Sequence, residues 1–344
     1  MTTDRNPPGK VQRVLAGPAG EGQRLDNFLL RALAGVPRSR VYRLLRKGEV
    51  RVNGKRKQAD YRLAADDEVR LPPVRDPRPD DQAPRTVPDP LVAAVSAAIV
   101  HEDERVLVLN KPAGLAVHGG SGLAFGAIEA LRALRPCESL ELAHRLDRDT
   151  SGCLLVARTR PALRMLHALL REGEVEKHYT ALVAGRWRLG RKKIDAPVLT
   201  NARQGGERVV RVHAEGKIAI SVFSPQQHFR DLATRMDVAI QTGRTHQIRV
   251  HAAFAGHPIA GDEKYGDRDF NARMRELGLR RMFLHAASVA FTWPDTKSPF
   301  KVSAELPADL VTLLAKLPFR VSAELPADLT ALLAKLPGGD RAQV

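Results

Sequence analysis

The spacing of apolar residues in the first quarter of the chain predicts two short helices and a small sheet. Apolar side chains recur at i, i+3, i+4 and i+8 over residues 25–33, which predicts an amphipathic helix. A second helix is predicted over residues 37–47, because proline suits its first position and Gly48 its end. A short alternating run then leads into the tight-turn pair Asn53-Gly54, and residues 68–71 supply another strand. Together these elements predict a compact small domain.

Residues 99–302 show a different pattern, which predicts a larger domain. Its strand-like runs are residues 106–109, 154–157, 179–183, 209–212, 219–223 and 236–240. The clearest helix covers residues 161–172, with proline at its start and Gly173 at its end. Because strands and helices do not alternate regularly, we expect an α+β fold with a mixed, largely antiparallel sheet. The sequence contains neither a Gly-x-Gly-x-x-Gly dinucleotide loop nor a Walker loop.

Composition divides the chain into five segments. Residues 1–20 are rich in Gly, Pro and charge and are predicted to form a flexible tail. The small domain covers residues 21–72, and the proline-rich residues 73–92 are expected to form a linker. The larger domain then covers residues 93–317, and a duplicated segment with a tail occupies residues 318–344.

The duplication is almost complete. Residues 299–317 read PFKVSAELPADLVTLLAKL, and residues 318–336 read PFRVSAELPADLTALLAKL. Two copies are too few for a solenoid, which needs about three repeats to bury a continuous core. A single docking groove holds only one copy, so we expect the first copy to pack on the larger domain and the second to be peripheral or mobile.

Net charge indicates the class of partner. The 344 residues include 55 Lys and Arg against 39 Asp and Glu, a formal charge of +16 with a pI near 10.3, which favours nucleic acid. Two cysteines, Cys137 and Cys153, exclude a disulfide scaffold and suit a reducing compartment. With no apolar run of about 18 residues and no signal-like N-terminus, we expect a cytoplasmic protein without a membrane partner, and by default a monomer.

Positive charge is concentrated in the small domain. Residues 24–71 contain 13 Lys and Arg and 6 Asp and Glu, and Arg40, Arg43 and Lys47 share one face of the second predicted helix. An isolated charged stripe of this kind is often only a solvated helix surface. Here we expect Arg40, Arg43, Lys47 and Lys55 to contact the phosphates of a nucleic acid.

The densest group of reactive side chains is the sequence HRLDRDTSG at residues 144–152, which precedes a buried apolar strand. A serine hydrolase would use Ser151 with His144 and either Asp147 or Asp149. The Gly-x-Ser-x-Gly elbow is absent, and catalytic triads are usually assembled from distant parts of a chain, which disfavours that reading. A non-catalytic alternative is that residues 144–152 form only a charged turn capped by Asp, Thr and Ser.

Two further passages carry candidate functional residues. In GRTHQIRVH, at residues 243–251, Thr245 is predicted to cap a helix that places Arg249 beside its buried stripe. A buried arginine must find a carboxylate or phosphate, because an unpaired buried charge costs several kcal/mol. In EKHYTALV, at residues 176–183, Tyr179 shares a strand face with small apolar residues and could also be an ordinary core tyrosine. His246, His251 and His257 lack supporting Cys or carboxylate spacing, so no metal is predicted.

These passages together resemble the RluA family of RNA pseudouridine synthases. The matching order is RKGEVRVNGK at residues 46–55, which is similar to an S4 RNA-binding domain, then LNKPAGLAVHGGSG at 109–122, HRLDRDTSG, KHYTALV and finally GRTHQIRVHAAFAGHPIAGD at 243–262. Within the family the chain is most similar to the RluC type, which modifies uridines of large-subunit (23S) ribosomal RNA. The resemblance covers about residues 22–317, and only the duplicated C-terminus departs from it.

The resemblance implies roles for individual residues. Asp147 matches the family's catalytic aspartate, and Arg249 matches the arginine paired with it. Tyr179 matches the tyrosine that packs on the target base, and Arg145 the residue that enters the RNA stack when the uridine leaves. Lys111 and Pro112 belong to a motif that we expect to be mainly structural. The implied fold is an S4-like domain followed by the pseudouridine synthase fold.

The chemistry implied by the resemblance agrees with these residue types. Converting uridine to pseudouridine changes no redox state and uses no energy donor, so no cofactor is expected. Extruding the base costs a few kcal/mol, and stacking on an aromatic ring, worth about 1–3 kcal/mol, can offset this cost. An arginine partner favours the ionised form of a carboxylate. Two alternatives are a synthase of this family with another ribosomal or transfer RNA target, and a non-catalytic S4 protein of ribosome assembly.

Overall fold

A computed structural model of the protein describes residues 11–33, 36, 38–73, 86–120, 123–204 and 207–318. The chain forms two compact units, Met1–Thr86 and Val87–Val344. Residues 1–10 of the predicted tail, most of the predicted linker and the second copy of the duplication lie outside the described residues.

The first unit contains the predicted pair of helices and a three-stranded antiparallel sheet. Its elements are β1 (Gln12–Leu15), a 3₁₀ turn (Pro18–Gly20), α1 (Leu25–Ala32), α2 (Arg38–Lys47), β2 (Arg51–Val52) and β3 (Glu68–Leu71), with sheet order β1-β3-β2. The apolar stripes of both helices, including Leu25, Leu29 and Val41, are buried against Val52 and Val69. The helices and the two later strands therefore confirm the sequence patterns.

Strand β1 corrects the predicted tail. Composition assigned Gln12–Leu15 to a flexible segment, but these residues pair with β3, from Gln12 opposite Leu71 to Leu15 opposite Glu68. The four-residue strand is half-exposed and lies at the sheet edge, so its apolar pattern is too weak to detect. The compact part of the unit therefore begins before residue 21.

The second unit is an α+β domain, as predicted. Its strands are β4 (Ile99–Glu102), β5 (Val106–Lys111), β6 (Glu141–Leu142), β7 (Ser151–Ala157), β8 (Glu176–Ala184), β9 (Lys192–Asp195), β10 (Val198–Gln204), β11 (Glu207–Val212), β12 (Ile220–Phe229), β13 (Ala233–Ile240), β14 (Leu284–Thr292) and β15 (Pro299–Ser303). Its helices are α3 (Asp89–Ala97), α4 (Ala127–Leu134), α5 (Arg160–Glu172), α6 (Gln247–Phe254), α7 (Arg268–Glu276) and α8 (Ala308–Lys316). Helix α3 begins inside the predicted linker, whose proline content concealed it.

One mixed sheet organises this unit. The strand order is β4-β5-β7-β14-β8-β13-β12-β9, with β15 paired to β14 and β6 paired to β7. Among the described strands only β7 and β14 pair in parallel, so the sheet is largely antiparallel, as expected. Every residue of β7 is buried, which explains why its sequence is a continuous apolar run instead of an alternating one. Strands β10 and β11 form a separate hairpin.

The first copy of the duplication is part of this domain. Strand β15 extends the sheet beside β14, from Ser303 opposite Ser288 to Pro299 opposite Thr292. Leu310 and Leu313 of α8 are fully buried in a cluster that includes Phe270, Met274 and Phe283. Packing of the first copy on the larger domain is thus confirmed. No helix among the described residues is long and apolar enough to cross a membrane.

Candidate active site

The 143–150 loop, which connects β6 to β7, carries Asp147 at the lip of the buried strand. The amide of Thr150 donates to the carbonyl of Asp147 at 3.2 Å and closes a tight turn around the aspartate. The carbonyl of Arg148 accepts the amide of Gly114 at 2.9 Å. The loop is therefore fixed both by its own turn and by the segment that follows β5.

Lys111 is a second anchor for the 143–150 loop. Its ammonium group is fully buried and donates to the carbonyls of Pro112, Leu115 and Arg148 at 2.8, 2.8 and 3.0 Å. Burial lowers the pKa of Lys111, but three carbonyl acceptors use all three protons of the ammonium form. The lysine thus ties the end of β5 to the residue next to Asp147.

Gly152 allows the loop to enter the sheet where β7 and β14 approach closely. Its φ of +107° is unfavourable for other residues, and a Cβ atom would lie 2.2 Å from the carbonyl oxygen of Ala286. The glycine that ends HRLDRDTSG is therefore required by the passing backbone of β14.

Arg249 connects two carboxylates in the interior of the site. Its Nε and Nη2 donate to both oxygens of Asp262 at 2.7 and 2.8 Å, and Nη1 lies 3.5 Å from Oδ2 of Asp147. Burial opposes both charges, but the ion pair dominates, lowering the pKa of Asp262 and raising that of Arg249. The sequence correctly required a carboxylate for this arginine, but its bidentate partner is Asp262, while Asp147 is the looser neighbour.

Asp262 is the most strongly held carboxylate of the site. It is 1% exposed and also accepts the amides of Lys264 and Tyr265. The preceding Gly261 has φ +73°, and a Cβ there would lie 2.2 Å from the carbonyl of Arg281. Asp262 is the last residue of GRTHQIRVHAAFAGHPIAGD, and the need of a buried arginine for a carboxylate was a signal for such a partner, although it did not choose Asp262 over Asp147.

Tyr179 lies on β8 and contributes its ring to the cleft beside Asp147. It is 7% exposed and opposes Val238 of β13 and Ala286 of β14 across the sheet. Burial, reinforced by the charge of Asp147, raises the pKa of Tyr179, so the phenol is protonated. The predicted placement over small apolar neighbours is confirmed.

The start of helix α6 differs from the prediction. His246, not Thr245, occupies the N-cap position, with φ +54° and no side-chain cap. The turn is held instead by Gln247, whose amide oxygen accepts the hydroxyl of Thr242 at 2.7 Å and the amide of Arg244 at 3.0 Å. Gln247, which lies inside the helix, therefore stabilises the turn that the sequence predicted Thr245 to cap.

His246 also enters the site, which the sequence did not predict. Its Nε2 lies 3.8 Å from Oδ2 of Asp147, and its Nδ1 lies 2.8 Å from the hydroxyl of Tyr265. Burial is the main cause that lowers the pKa of His246, so the ring is predominantly neutral. Tyr265 also faces Arg249, whose guanidinium carbon is 5.0 Å from the ring centroid.

Two cavities meet at His246 and Arg249. The cleft that contains Asp147 and Tyr179 has a volume of about 70 Å³ and is also lined by Arg145. Pockets for small ligands usually measure about 300–1,000 Å³, so this cleft must widen to admit a nucleoside. The second cavity has a volume of about 730 Å³ and a basic wall. Arg145 is exposed, and no ion pair joins it to another residue in the described part of the chain.

The hydrolase alternative is not supported by the geometry. Nε2 of His144 accepts the amide of Leu155 at 3.1 Å, and burial together with Lys177 lowers the pKa of His144 to about 4. Ser151 instead donates to Nδ1 of His285 at 2.9 Å, whose Nε2 donates to the carbonyl of Ala304. No carboxylate therefore orients this histidine.

The other histidines considered for metal binding have structural partners. Nε2 of His251 donates to the carbonyl of Ala196 at 2.9 Å, and Nδ1 accepts from Ser221. His257 donates to the carbonyl of Ala184 at 2.7 Å. Residues 11–318, apart from the gaps given above, contain no group of three or more His, Cys, Asp or Glu placed to hold a metal ion.

The candidate phosphate contacts lie in the first unit. Arg43 and Lys47 are exposed on α2, Arg40 is half-buried, and Lys55 is exposed just after the Asn53-Gly54 turn. The positive φ of Asn53 and Gly54 confirms that turn. The three residues of α2 thus leave most of their positive charge on the surface of the helix.

Comparison with known proteins identifies the class. The RNA pseudouridylate synthase family matches residues 105–254, and the S4 domain family matches residues 23–69. Both matches agree with the resemblance seen in the sequence. The chain belongs to the RNA pseudouridylate synthase family.

Individual relatives narrow the comparison. The chain is 51% identical over 318 residues to the ribosomal large subunit pseudouridine synthase C of Haemophilus ducreyi, covering 92% of this chain and 99% of that protein. It is 52% identical over 316 residues to the protein of that name from Escherichia coli K12, covering 90% and 97%. Such identity over almost the whole of both chains places the protein close to this branch of the family.

Solved structures support the fold. Human RNA pseudouridylate synthase domain containing 4 aligns with a TM-score of 0.55 and 25% identity, covering 66% of this chain and 95% of that one. Human RNA pseudouridylate synthase domain containing 1 aligns with a TM-score of 0.54 and 27% identity, covering 71% and 96%.

Proposed function

We propose that this protein converts uridine to pseudouridine in the 23S RNA of the large ribosomal subunit, with Asp147 as the catalytic carboxylate. The observation that carries the proposal is the arrangement of the 143–150 loop, which holds Asp147 3.5 Å from the buried Arg249 in a cleft shared with Tyr179. The names of the relatives that match over nine-tenths of the chain supply the RNA target.

The isomerisation needs only groups that this cleft contains. The N1–C1′ bond breaks, the uracil rotates, C5 bonds to C1′, and the proton on C5 is replaced by one on N1, so atoms and electrons balance without a cofactor. An ionised Asp147 can begin this sequence by attack at C1′, by addition to C6 or by removal of a ribose proton. In each case the guanidinium of Arg249 lies 3.5 Å from Oδ2 of this carboxylate.

Tyr179 and Arg145 act on the target base in this proposal. The protonated ring of Tyr179 packs against the extruded uracil, and such stacking contributes about 1–3 kcal/mol. The exposed Arg145 fills the space that the uridine leaves in the RNA. Because the cleft of about 70 Å³ is smaller than a ligand pocket, entry of the uridine must displace lining side chains. Closure around the base then keeps water from the freed uracil.

The first unit supplies affinity in this proposal. Arg40, Arg43, Lys47 and Lys55 contact phosphates and increase residence on RNA without reading its sequence. We further propose that the protein acts in the cytoplasm as a monomer, which light scattering on the purified protein tests.

The decisive test changes Asp147 alone. Asp147→Asn keeps the size of the side chain and is expected to reduce pseudouridine formation in a 23S transcript at least 10⁴-fold. RNA affinity is expected to stay within about threefold, because the carboxylate contributes no phosphate contact. Asp149→Asn is the matched control in the same loop and should retain activity within about tenfold. An Asp147→Asn protein that still modifies RNA would overturn the assignment.

A second experiment tests the target. Pseudouridines are mapped by chemical labelling and primer extension in ribosomal and transfer RNA from cells with and without the gene. Loss of defined sites in 23S RNA is expected. Loss confined to transfer RNA would replace the proposed target with the alternative one, and no loss at all would leave the non-catalytic S4 protein.

The salt dependence of RNA binding tests the proposed phosphate contacts. Changing Arg40, Arg43 and Lys47 together to Ala should weaken RNA binding and reduce the slope of log Kd against log salt by about 2. A triple change at the exposed Arg171, Arg188 and Lys193 of the second unit is the charge-matched control. An unchanged slope in the first variant would remove α2 from the RNA interface.

A further inference from the structure

His246 occupies a position that the proposed mechanism does not yet use. It lies beside Asp147 at the start of α6, the helix that also carries Arg249, and it lines both the cleft and the larger cavity. Its backbone is left-handed, with φ +54° and ψ +21°, a region that few non-glycine residues adopt and in which histidine, asparagine and aspartate are the most frequent of them. Such conformations persist where the surroundings require them, and they cluster at functional sites.

A chain of hydrogen bonds determines which nitrogen of His246 carries the proton. The amide of Val210 donates to the hydroxyl oxygen of Tyr265 at 3.1 Å. Burial raises the pKa of Tyr265, so its hydroxyl keeps a proton to donate. Nδ1 of His246, at 2.8 Å, is the acceptor for that proton within the described residues. The neutral ring must then carry its own proton on Nε2, the nitrogen that faces Asp147.

The same oxygen of Asp147 faces both neighbouring donors. Nη1 of Arg249 lies 3.5 Å from Oδ2, and Nε2 of His246 lies 3.8 Å from Oδ2. Both distances exceed that of a hydrogen bond, and such contacts often tighten only when substrate binds. Oδ2 is the oxygen of Asp147 that lies nearest to each of these nitrogens, so Oδ1 is the oxygen that we assign to the uridine.

We infer that His246 is a positioning residue: its Nε2–H form, fixed by Tyr265, holds Oδ2 of Asp147 and directs Oδ1 to the uridine. This inference rests on the proposed function, because it assigns the aspartate the reacting role. It adds Tyr265 and the backbone of β11 to the groups that control the aspartate.

The charges around His246 are consistent with a neutral ring. Arg249 and Lys264 disfavour its protonation, as does burial, whereas Asp147 and Asp262 favour it. The hydroxyl of Tyr265 faces the ring from the turn after Asp262. A protonated His246 would bind Asp147 as a full ion pair and would also lose the hydrogen bond that Tyr265 donates, so the rate should fall when the ring is protonated.

Two substitutions at His246 distinguish loss of the N–H donor to Asp147 from loss of stability. Asn tolerates the left-handed backbone and can accept from Tyr265, but its amide ends too early to reach Asp147. His246→Asn is therefore expected to lower kcat at least 30-fold, with the unfolding midpoint unchanged and RNA affinity within threefold. Gln places an N–H donor near the position of Nε2, so His246→Gln is expected to stay within about fivefold of the wild-type kcat. Wild-type kcat in the Asn variant would overturn the inference.

Tyr265→Phe tests the hydrogen-bond chain without changing His246. Long-range ¹H–¹⁵N spectra of labelled protein report the tautomer directly, and the Nε2–H form is expected in the wild type. Removing the hydroxyl deletes a bond that favours the neutral ring, so the acid limb of kcat should move to higher pH by roughly 0.5–1. A wild-type Nδ1–H tautomer, or an acid limb that does not move, would contradict the inference.

Different results would refute the proposed function and the positioning role of His246. If the wild-type protein forms no pseudouridine in 23S transcripts or in cellular RNA, the proposed function is wrong, and the spectra still decide the tautomer. If the wild type is active and the spectra or the Asn variant disagree, only the role of His246 is wrong.

Discussion

Replacing Asp262 by Asn would test how the site holds its buried arginine. The substitution keeps the shape of the side chain and an oxygen for the amides of Lys264 and Tyr265, but it removes the charge that neutralises Arg249. Arg249 is 8% exposed, and breaking a buried ion pair by removing one partner typically costs about 3–5 kcal/mol.

That cost should be visible in both stability and activity. For a domain of this size, about 3–5 kcal/mol corresponds to a fall in Tm of roughly 10 °C. The freed guanidinium is expected to move fully onto Asp147, now only 3.5 Å away, and to hold the carboxylate needed for reaction. We therefore expect Asp262→Asn to lower kcat at least tenfold, measured with a 23S transcript alongside urea unfolding.

Two further variants determine the cause of the loss. Glu263→Gln is the matched control at the next residue, because its carboxylate is 78% exposed and pairs with Arg275 at 3.4 Å, so less than about 1 kcal/mol is expected. Arg249→Met combined with Asp262→Asn removes the unpaired charge and should recover part of the stability. If Asp262→Asn costs less than 1 kcal/mol, or the double variant is no more stable than the single one, the reasoning is refuted.

Three other predictions concern the supports of the 143–150 loop. Folding lowers the pKa of His144 from 6.5 to about 4, so the unfolded chain binds a proton here more readily than the folded protein does. The free energy of unfolding should therefore fall as the pH drops from about 6.5 towards 4, by about 2 kcal/mol at pH 5. An equal urea midpoint at pH 7 and pH 5 would contradict this. Gly152→Ala should lower the free energy of unfolding by at least about 3 kcal/mol or prevent soluble expression. Gly190→Ala, also at positive φ but with open space around it, should lower it by about 1 kcal/mol. Equal losses of Tm in the two variants would show that the contact of Gly152 with β14 is unimportant. Lys111→Met leaves three carbonyls without their buried donor. It should lower the free energy of unfolding by about 2–5 kcal/mol, measured by urea unfolding, and lower kcat, measured in single-turnover assays. An unchanged unfolding midpoint would exclude the anchoring role of Lys111.

Local elements were predictable because their signals lie within a few residues. Helix α5 follows from its apolar spacing, with Thr159 accepting the amide of Ala162 at its start and Gly173 in the left-handed conformation at its end. The strand run at residues 154–157 was equally clear, since burial on both faces makes it continuously apolar. Strand β1 was not predicted, because its pairing with β3 depends on residues more than 50 positions away.

The candidate site was predictable only in part, for the same reason. A buried arginine must have a carboxylate, but no local rule chooses between Asp147 and Asp262 when the fold brings both within reach of Arg249. Thr245 matched the usual residue type of a cap, yet the tertiary contacts of Gln247 with Thr242 and Arg244 determine the turn. His246 carried no recognisable spacing to a partner, because Tyr265 is 19 positions away, in the segment between α6 and α7.

The position of β14 sets the time at which the enzyme becomes complete during its synthesis. Residues 284–292 are made more than a hundred positions after HRLDRDTSG, yet they lie between β7, which follows Asp147, and β8, which carries Tyr179. A growing chain emerges N-terminal end first, so these two strands cannot reach their final spacing until almost the entire second unit has left the ribosome. We therefore expect the site to stay unassembled in an unfinished polypeptide until residues 284–292 have emerged.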